Sequence, residues 1–255
     1  MGAVFRHWLW LLAMGLATGG ACASADLEAE LKSRYQLQRV AVSKDEGGRA
    51  TGQFNLRGNL TEAAPARART LVAGGQAPSA EVLARAFAAN NLQLFDIADA
   101  EQDLRLSSSQ QDASGNHHLR FQRMINGLLL EGMELLFHVS GDGQVSGANG
   151  NIVRIAPELR KYLEDNPQLP RQKEERILDA IASDLEVAVA DFEVADLQLL
   201  AVNQPPFVVW KLDVKLKKRL AHFRYRISDA DAGILQKRDL VHMKFGKRYR
   251  EGAAR

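Results

Sequence analysis

The chain has almost no cysteine. Among its 255 residues the only one is Cys22. A chain cut after Ala23 or Ala25 keeps none, which excludes a small fold held by disulfides. Long apolar runs are also lacking. The stretch "WLWLLAMGLA", Trp8 to Ala17, is too short to cross a bilayer. It follows Arg6 and His7 and precedes two A-x-A cleavage sites, "ACA" and "ASA". Residues 1–25 therefore read as a secretory signal peptide, which implies a secreted or periplasmic protein without a transmembrane segment. Lipidation at Cys22 is the lesser reading, because no Leu stands three positions before it. Excess charge is missing too. A net charge of +2 gives no general drive toward nucleic acid or an anionic membrane.

Signatures of catalysis are equally scarce. No G-x-S-x-G marks a serine nucleophile. The spacing Gly141-x-Gly143-x-x-x-Gly147 is not a G-x-G-x-x-G, and no helix pattern follows it to hold a phosphate. Asp229, Asp231 and Gly233 lack the bidentate Glu of a calcium loop and read as a hairpin turn. His117 and His118 are adjacent, so on a strand their rings face opposite sides and cannot simply share a metal. No cofactor and no metal are expected.

What is present is alternation. About 230 residues remain after the signal peptide, enough for one large or two modest domains. Leu27, Leu31 and Tyr35 recur at helix spacing within "DLEAELKSRYQLQ", and Phe54 and Leu56 share one side of a strand. Asn59-Leu60-Thr61 is a formal glycosylation sequon, but a strand end is the plainer reading. Ser79 is a good N-cap for a helix ending at Asn90-Asn91, with Val82, Leu83, Ala86, Phe87 and Asn90 on one stripe and a left-handed stop after it. Four strands follow over Asp103 to Gly150. In the second, Leu119, Phe121 and Arg123 point one way, so Arg123 interrupts the apolar side. Asn126-Gly127 predicts a type I′ hairpin.

Pro157, Pro167 and Pro170 mark a linker over 157–170. Beyond it the order of helix then antiparallel strands repeats. The helix Glu174 to Leu185 turns Ile177, Leu178, Ile181 and Leu185 inward, and Phe223, Tyr225 and Ile227 alternate with His222, Arg224 and Arg226. The expected fold class is α+β, with two domains that each pack a helix on a curved antiparallel sheet of cystatin-like form. Phe121, Leu129 and Phe137 are expected to be buried in the first, and Trp210 and Tyr225 at least partly in the second. The basic run Lys215 to Arg219 reads as a solvated edge.

Several stretches carry a resemblance. "FNLRGNL", "LARAFAANNLQLF", the run "GNHHLRFQRMINGLLLEGMELLFHV" and "DGQVSGANG" resemble the fungalysin/thermolysin propeptide domain, here over 26–156. Residues 171–243 resemble a PepSY domain through Val208-Val209-Trp210 and "DADAGILQ", although Ala232 and Ile234 replace its usual Thr and Glu. The resemblance implies a secreted propeptide that inhibits, or assists folding of, a thermolysin-like zinc metallopeptidase. The peptidase's own H-E-x-x-H is absent, since none of His7, His117, His118, His138, His222 and His242 has that spacing. The chain thus reads as a free-standing propeptide, not an enzyme, whose peptidase is encoded separately. The alternatives are a binding or accessory module with no protease partner and a truncated zymogen remnant. By the same resemblance the basic C-terminal tail, 244–255, lies near the peptidase cleft. Met243, Phe245, Lys247, Arg248, Tyr249 and Arg250 are the expected contact residues.

Overall fold

The computed structural model describes residues 27–61 and 78–241. The expected signal peptide, 1–25, and the tail beyond Val241 lie outside the described residues. Five helices are present among them: α1 (Leu27–Arg34), α2 (Ala80–Asn90), α3 (Leu92–Phe95), α4 (Pro157–Asp165) and α5 (Glu174–Leu185). Ten strands accompany them: β1 (Gln36–Lys44), β2 (Ala50–Asn59), β3 (Leu104–Gln111), β4 (His117–Ile125), β5 (Leu128–Val139), β6 (Val145–Ile152), β7 (Phe192–Ala201), β8 (Val208–Leu216), β9 (His222–Ser228) and β10 (Ile234–Asp239).

Local chemistry sets the corners. Asn126 and Gly127 have φ of 47° and 80°, the two positive values of the type I′ turn between β4 and β5. Ser79 accepts a hydrogen bond from the Val82 amide and starts α2. That helix does not stop in a left-handed residue. Asn91 has φ −131°, and the left-handed residue is Asp96, after α3. The buried face of α2 is Leu83, Ala84, Phe87 and Ala88. Val82, Ala86 and Asn90 are only half-buried. Gly150, at φ 147°, is needed for a different reason. A Cβ there would stand 2.0 Å from the Glu134 carbonyl oxygen of the neighbouring strand.

The strands join in the order β1-β2-β6-β5-β7-β8-β9-β10, with β4 on the other side of β5 and β3 beyond it. Every pairing is antiparallel except one. Leu129 and Leu130 of β5 run parallel to Leu200 and Ala201 of β7. This short contact turns two antiparallel halves into one mixed sheet. The expectation of a cystatin-like curved sheet under each helix is thereby overturned. The sheet is open and not curled, since β1, β3 and β10 each remain an edge with a single neighbour. The class is α+β, but with several helices over one sheet.

Both helix layers lie on the same face of that sheet. Leu130, Ala201, Val208 and Trp210 point to one side in register across β5, β7 and β8. The first three belong to the larger core and Trp210 to the smaller. The larger core packs α1, α2, α3 and α4 against β1 to β6. Its centre is a group of rings in which Phe137 lies 6.0 Å from Phe87, 6.1 Å from Phe95 and 5.6 Å from Phe121. The smaller packs Ile177 and Ile181 of α5 on Leu212, Val214, Tyr225 and Ile227. The stretch with Pro157 is not extended. Pro at the first turn suits a helix, and Leu159 and Leu163 of α4 are buried in the larger core.

Asp229 closes the smaller half. Its carboxylate is fully buried and accepts from the Arg171 amide (2.8 Å), the Gln172 amide (3.2 Å) and Trp210 Nε1 (2.8 Å). This satisfies the buried carboxylate without a metal and ties the entry to α5 to the β9–β10 turn and to Trp210 of β8.

Phe137→Ala should cost about 3–5 kcal/mol, because the rings around it cannot close the cavity. Denaturant unfolding measures this, and a loss below about 1 kcal/mol would place Phe137 outside the core.

Candidate binding face

The face opposite the helices bears none of them among the described residues. Its side chains are set by strand register. One row across β4, β5, β6 and β2 is His118, His138, Gly147 and Arg57. The next is Arg120, Leu136, Asn149 and Asn55, and the third Gln122, Glu134, Asn151 and Gln53. Arg120 and Glu134 form an ion pair across the rows. Leu136 is the half-buried apolar member among these amides and charges. The Asn55 side-chain oxygen has no hydrogen-bond partner among the described residues.

The first row holds a relay of polar atoms. His118 Nδ1 and His138 Nδ1 lie 2.8 Å apart. On the far side, His118 Nε2 lies 3.1 Å from Asp112 Oδ2, and His138 Nε2 lies 3.0 Å from Asn149 Nδ2. One assignment satisfies all three contacts. Asn149 donates to His138 Nε2, His138 Nδ1–H donates to His118, and His118 Nε2–H donates to Asp112. Burial, reinforced by His118 and Arg57, holds His138 below the ordinary histidine range. Asp112 is held at about 2 by the side chain and amide of Asn116 and by His118. The adjacency of His117 and His118 drew attention to the wrong pair. His117 turns to the other side toward Gln111, and the partner of His118 is 20 residues on in sequence.

Between the halves the same face carries a small apolar row, Met124, Leu129, Leu200 and Val209, with Val202 beside it. Leu129 is buried as expected, but here and not beside Phe121. Gly132, at φ 83°, resets the alternation of β5, so 128 and 130 face the helices before it and 133, 135 and 137 after it. Arg226 reaches across two intervening strands to grip Glu131 with both carboxylate oxygens, one at 2.9 Å.

Arg123 does point to the helix side, where its side chain is 4% exposed. It donates to Asp96 Oδ2 and to the Val153 carbonyl oxygen, each at 3.2 Å. Burial tends to raise Asp96, but Arg123 and Arg154 hold it below the usual carboxylate range. Hydrogen bonds from Arg224 do the same for Asp213. For Asp184, burial again works upward and is outweighed by Lys237 and Tyr225. In the basic run, Lys217 and Lys218 are tied to Ala190 and Asp191 at the 3-10 turn before β7. Met243, Phe245, Lys247, Arg248, Tyr249 and Arg250 all lie outside the described residues.

The face offers hydrogen bonds and charges without an activated nucleophile, and among the described residues no three His, Cys, Asp or Glu side chains cluster around a metal position. That suits recognition. Residues 102–152 match a family described as the fungalysin/thermolysin propeptide motif. The match takes in β3, β4, β5 and β6, about a fifth of the chain. The matched motif is described as a propeptide's, and among the described residues no cluster of metal ligands accompanies it. No curated protein matches the chain. Among solved structures, the C-terminal domain of YpeB from Bacillus megaterium is similar over 84% of this chain and 93% of its own length, with 11% identity and a TM-score of 0.32. A likeness that loose has no functional consequence.

The depressed carboxylates Asp96, Asp213 and Asp184 set the acid limit of the fold. Each contributes stability above the unfolded carboxylate pKa of about 4, and loses it as pH falls through the lower folded value. The thermal midpoint should therefore slip slightly below about pH 6.5, where unfolded His138 takes up a proton that the folded side chain resists, and fall steeply below about pH 4. A pH series of thermal scans checks this, and a decline complete by pH 6 would contradict it.

Proposed function

We propose that the protein is an exported, free-standing propeptide-like module that binds a separately encoded thermolysin-like zinc metallopeptidase, inhibiting it or assisting its folding. The observation that carries this reading is the propeptide motif over 102–152, because its strands β4, β5 and β6 build most of the helix-free face. In this reading the region resembling a propeptide domain, 26–156, supplies that face. The PepSY-like region, 171–243, follows it in the chain. The signal peptide delivers the protein outside the cytoplasm, where its peptidase works.

Nanomolar binding needs roughly 1,600 Å² of interface and about −12 kcal/mol. A short tail cannot supply that, so the sheet face provides most of it. Leu136 is the apolar anchor, with Arg120, Glu134, Asn149 and Asn151 as its polar surround. Met243, Phe245 and Tyr249 add apolar contacts at the peptidase cleft, and Lys247, Arg248 and Arg250 steer approach to an acidic rim.

The test is binding and inhibition of a thermolysin-like enzyme from the same host. The intact protein should do both. Leu136→Glu should weaken binding at least about tenfold. Removing the residues after Met243 should weaken inhibition and leave binding in place. An intact protein that binds no such enzyme would retire the proposal in favour of an accessory module without a protease partner.

A further inference from the structure

The histidine pair has a geometry that recognition alone does not require. Two ring nitrogens, His118 Nδ1 and His138 Nδ1, converge to 2.8 Å. Each ring is also held from behind, His118 by Asp112 and His138 by Asn149. Metal-binding imidazoles are held in this way, because a partner on the outer nitrogen fixes ring orientation and directs the lone pair of the inner one. Asp112 is itself fixed by the Ser114 and Asn116 amides at 2.9 Å. The position beside His138 in the row is Gly147, and the His138 ring leans over it, its Cδ2 3.5 Å from where a Cβ would stand.

We propose that His118 and His138 form a two-imidazole site for a divalent transition metal, with zinc, nickel and copper as the class of ion. Imidazole nitrogen suits these ions, and carboxylate-preferring magnesium and calcium are excluded. Two imidazoles on a tetrahedral zinc stand about 3.3 Å apart, from zinc–nitrogen distances of about 2.0–2.1 Å. The rings need to part by about half an ångström from their present contact, which rotation of two half-buried side chains provides. The metal takes the place of the proton shared between the Nδ1 atoms. That proton moves to His138 Nε2, and the Asn149 amide turns its oxygen toward it. No proton is released overall. No third His, Cys, Asp or Glu joins the pair among the described residues, so water completes the coordination and the site stays open to solvent.

The inference is independent of the peptidase reading. Its test uses the untagged mature protein and zinc chloride. At about 100 µM zinc the thermal midpoint should rise by about 2–5 °C, since a ligand of the folded state alone stabilises by mass action. A chelator should reverse the rise, and magnesium should not produce it. His118→Gln and His138→Gln should each abolish the response, while His117→Gln should keep it. A measurement on the unaltered protein guards against a variant that misfolds. Zinc should shift the imidazole resonances of His118 and His138 before those of His117 and His222. An unaltered protein with no zinc response would overturn the site, as would a full response in the His118→Gln, His138→Gln double variant.

Discussion

The architecture depends on the contact between Leu129–Leu130 and Leu200–Ala201. It is the one parallel pairing in the sheet and it is only two residues long on each strand. Without it, two antiparallel halves would each need to cover their own helices and edges. With it, the inner side chains of both halves align, and one face collects all the helices. Parallel pairing is slightly weaker per residue than antiparallel, so this contact needs support. Met124, Leu129, Leu200, Val202 and Val209 pack beside it on one side, and Arg226 spans to Glu131 over the same region.

The consequence is a separation of tasks between faces. The helix side is a conventional apolar core, fastened by Arg123, Asp96 and Arg154 on one half and by Asp229 on the other. The opposite side is released from packing. Its residues are free to be polar, and they are arranged in rows of amide, imidazole and ion pair. A sheet face of that kind is rigid in backbone and adaptable in side chain, which favours a binding role over a catalytic one. The propeptide motif falls on the strands that build it.

Much of the fold was legible in short stretches. The Asn126-Gly127 turn, the Ser79 cap and the inward Phe121, Phe137 and Tyr225 each followed from local chemistry or alternation. What escaped was non-local. Gly132 looked like one more strand residue, yet its positive φ changes which residues of β5 face inward. Pro157 suggested a linker, although Leu159, Tyr162 and Leu163 carry helical spacing. Residues 36–38 of β1 were read as the end of a helix, because Leu27, Leu31 and Tyr35 keep helical spacing up to them. A seam of two residues leaves no pattern in sequence. His138 was set aside with the other histidines for lacking the H-E-x-x-H spacing, because only register brings it to His118.

Whether the two halves are one sheet in solution is open to direct measurement by native-state hydrogen exchange. Amides around the seam, from Leu128 to Leu130 and at Leu200 and Ala201, should be protected nearly as strongly as those of Leu135 and Phe137 in the main core. Exchange of the seam amides by low-energy opening, with both cores still protected, would show two halves that part readily and would contradict the single-sheet account.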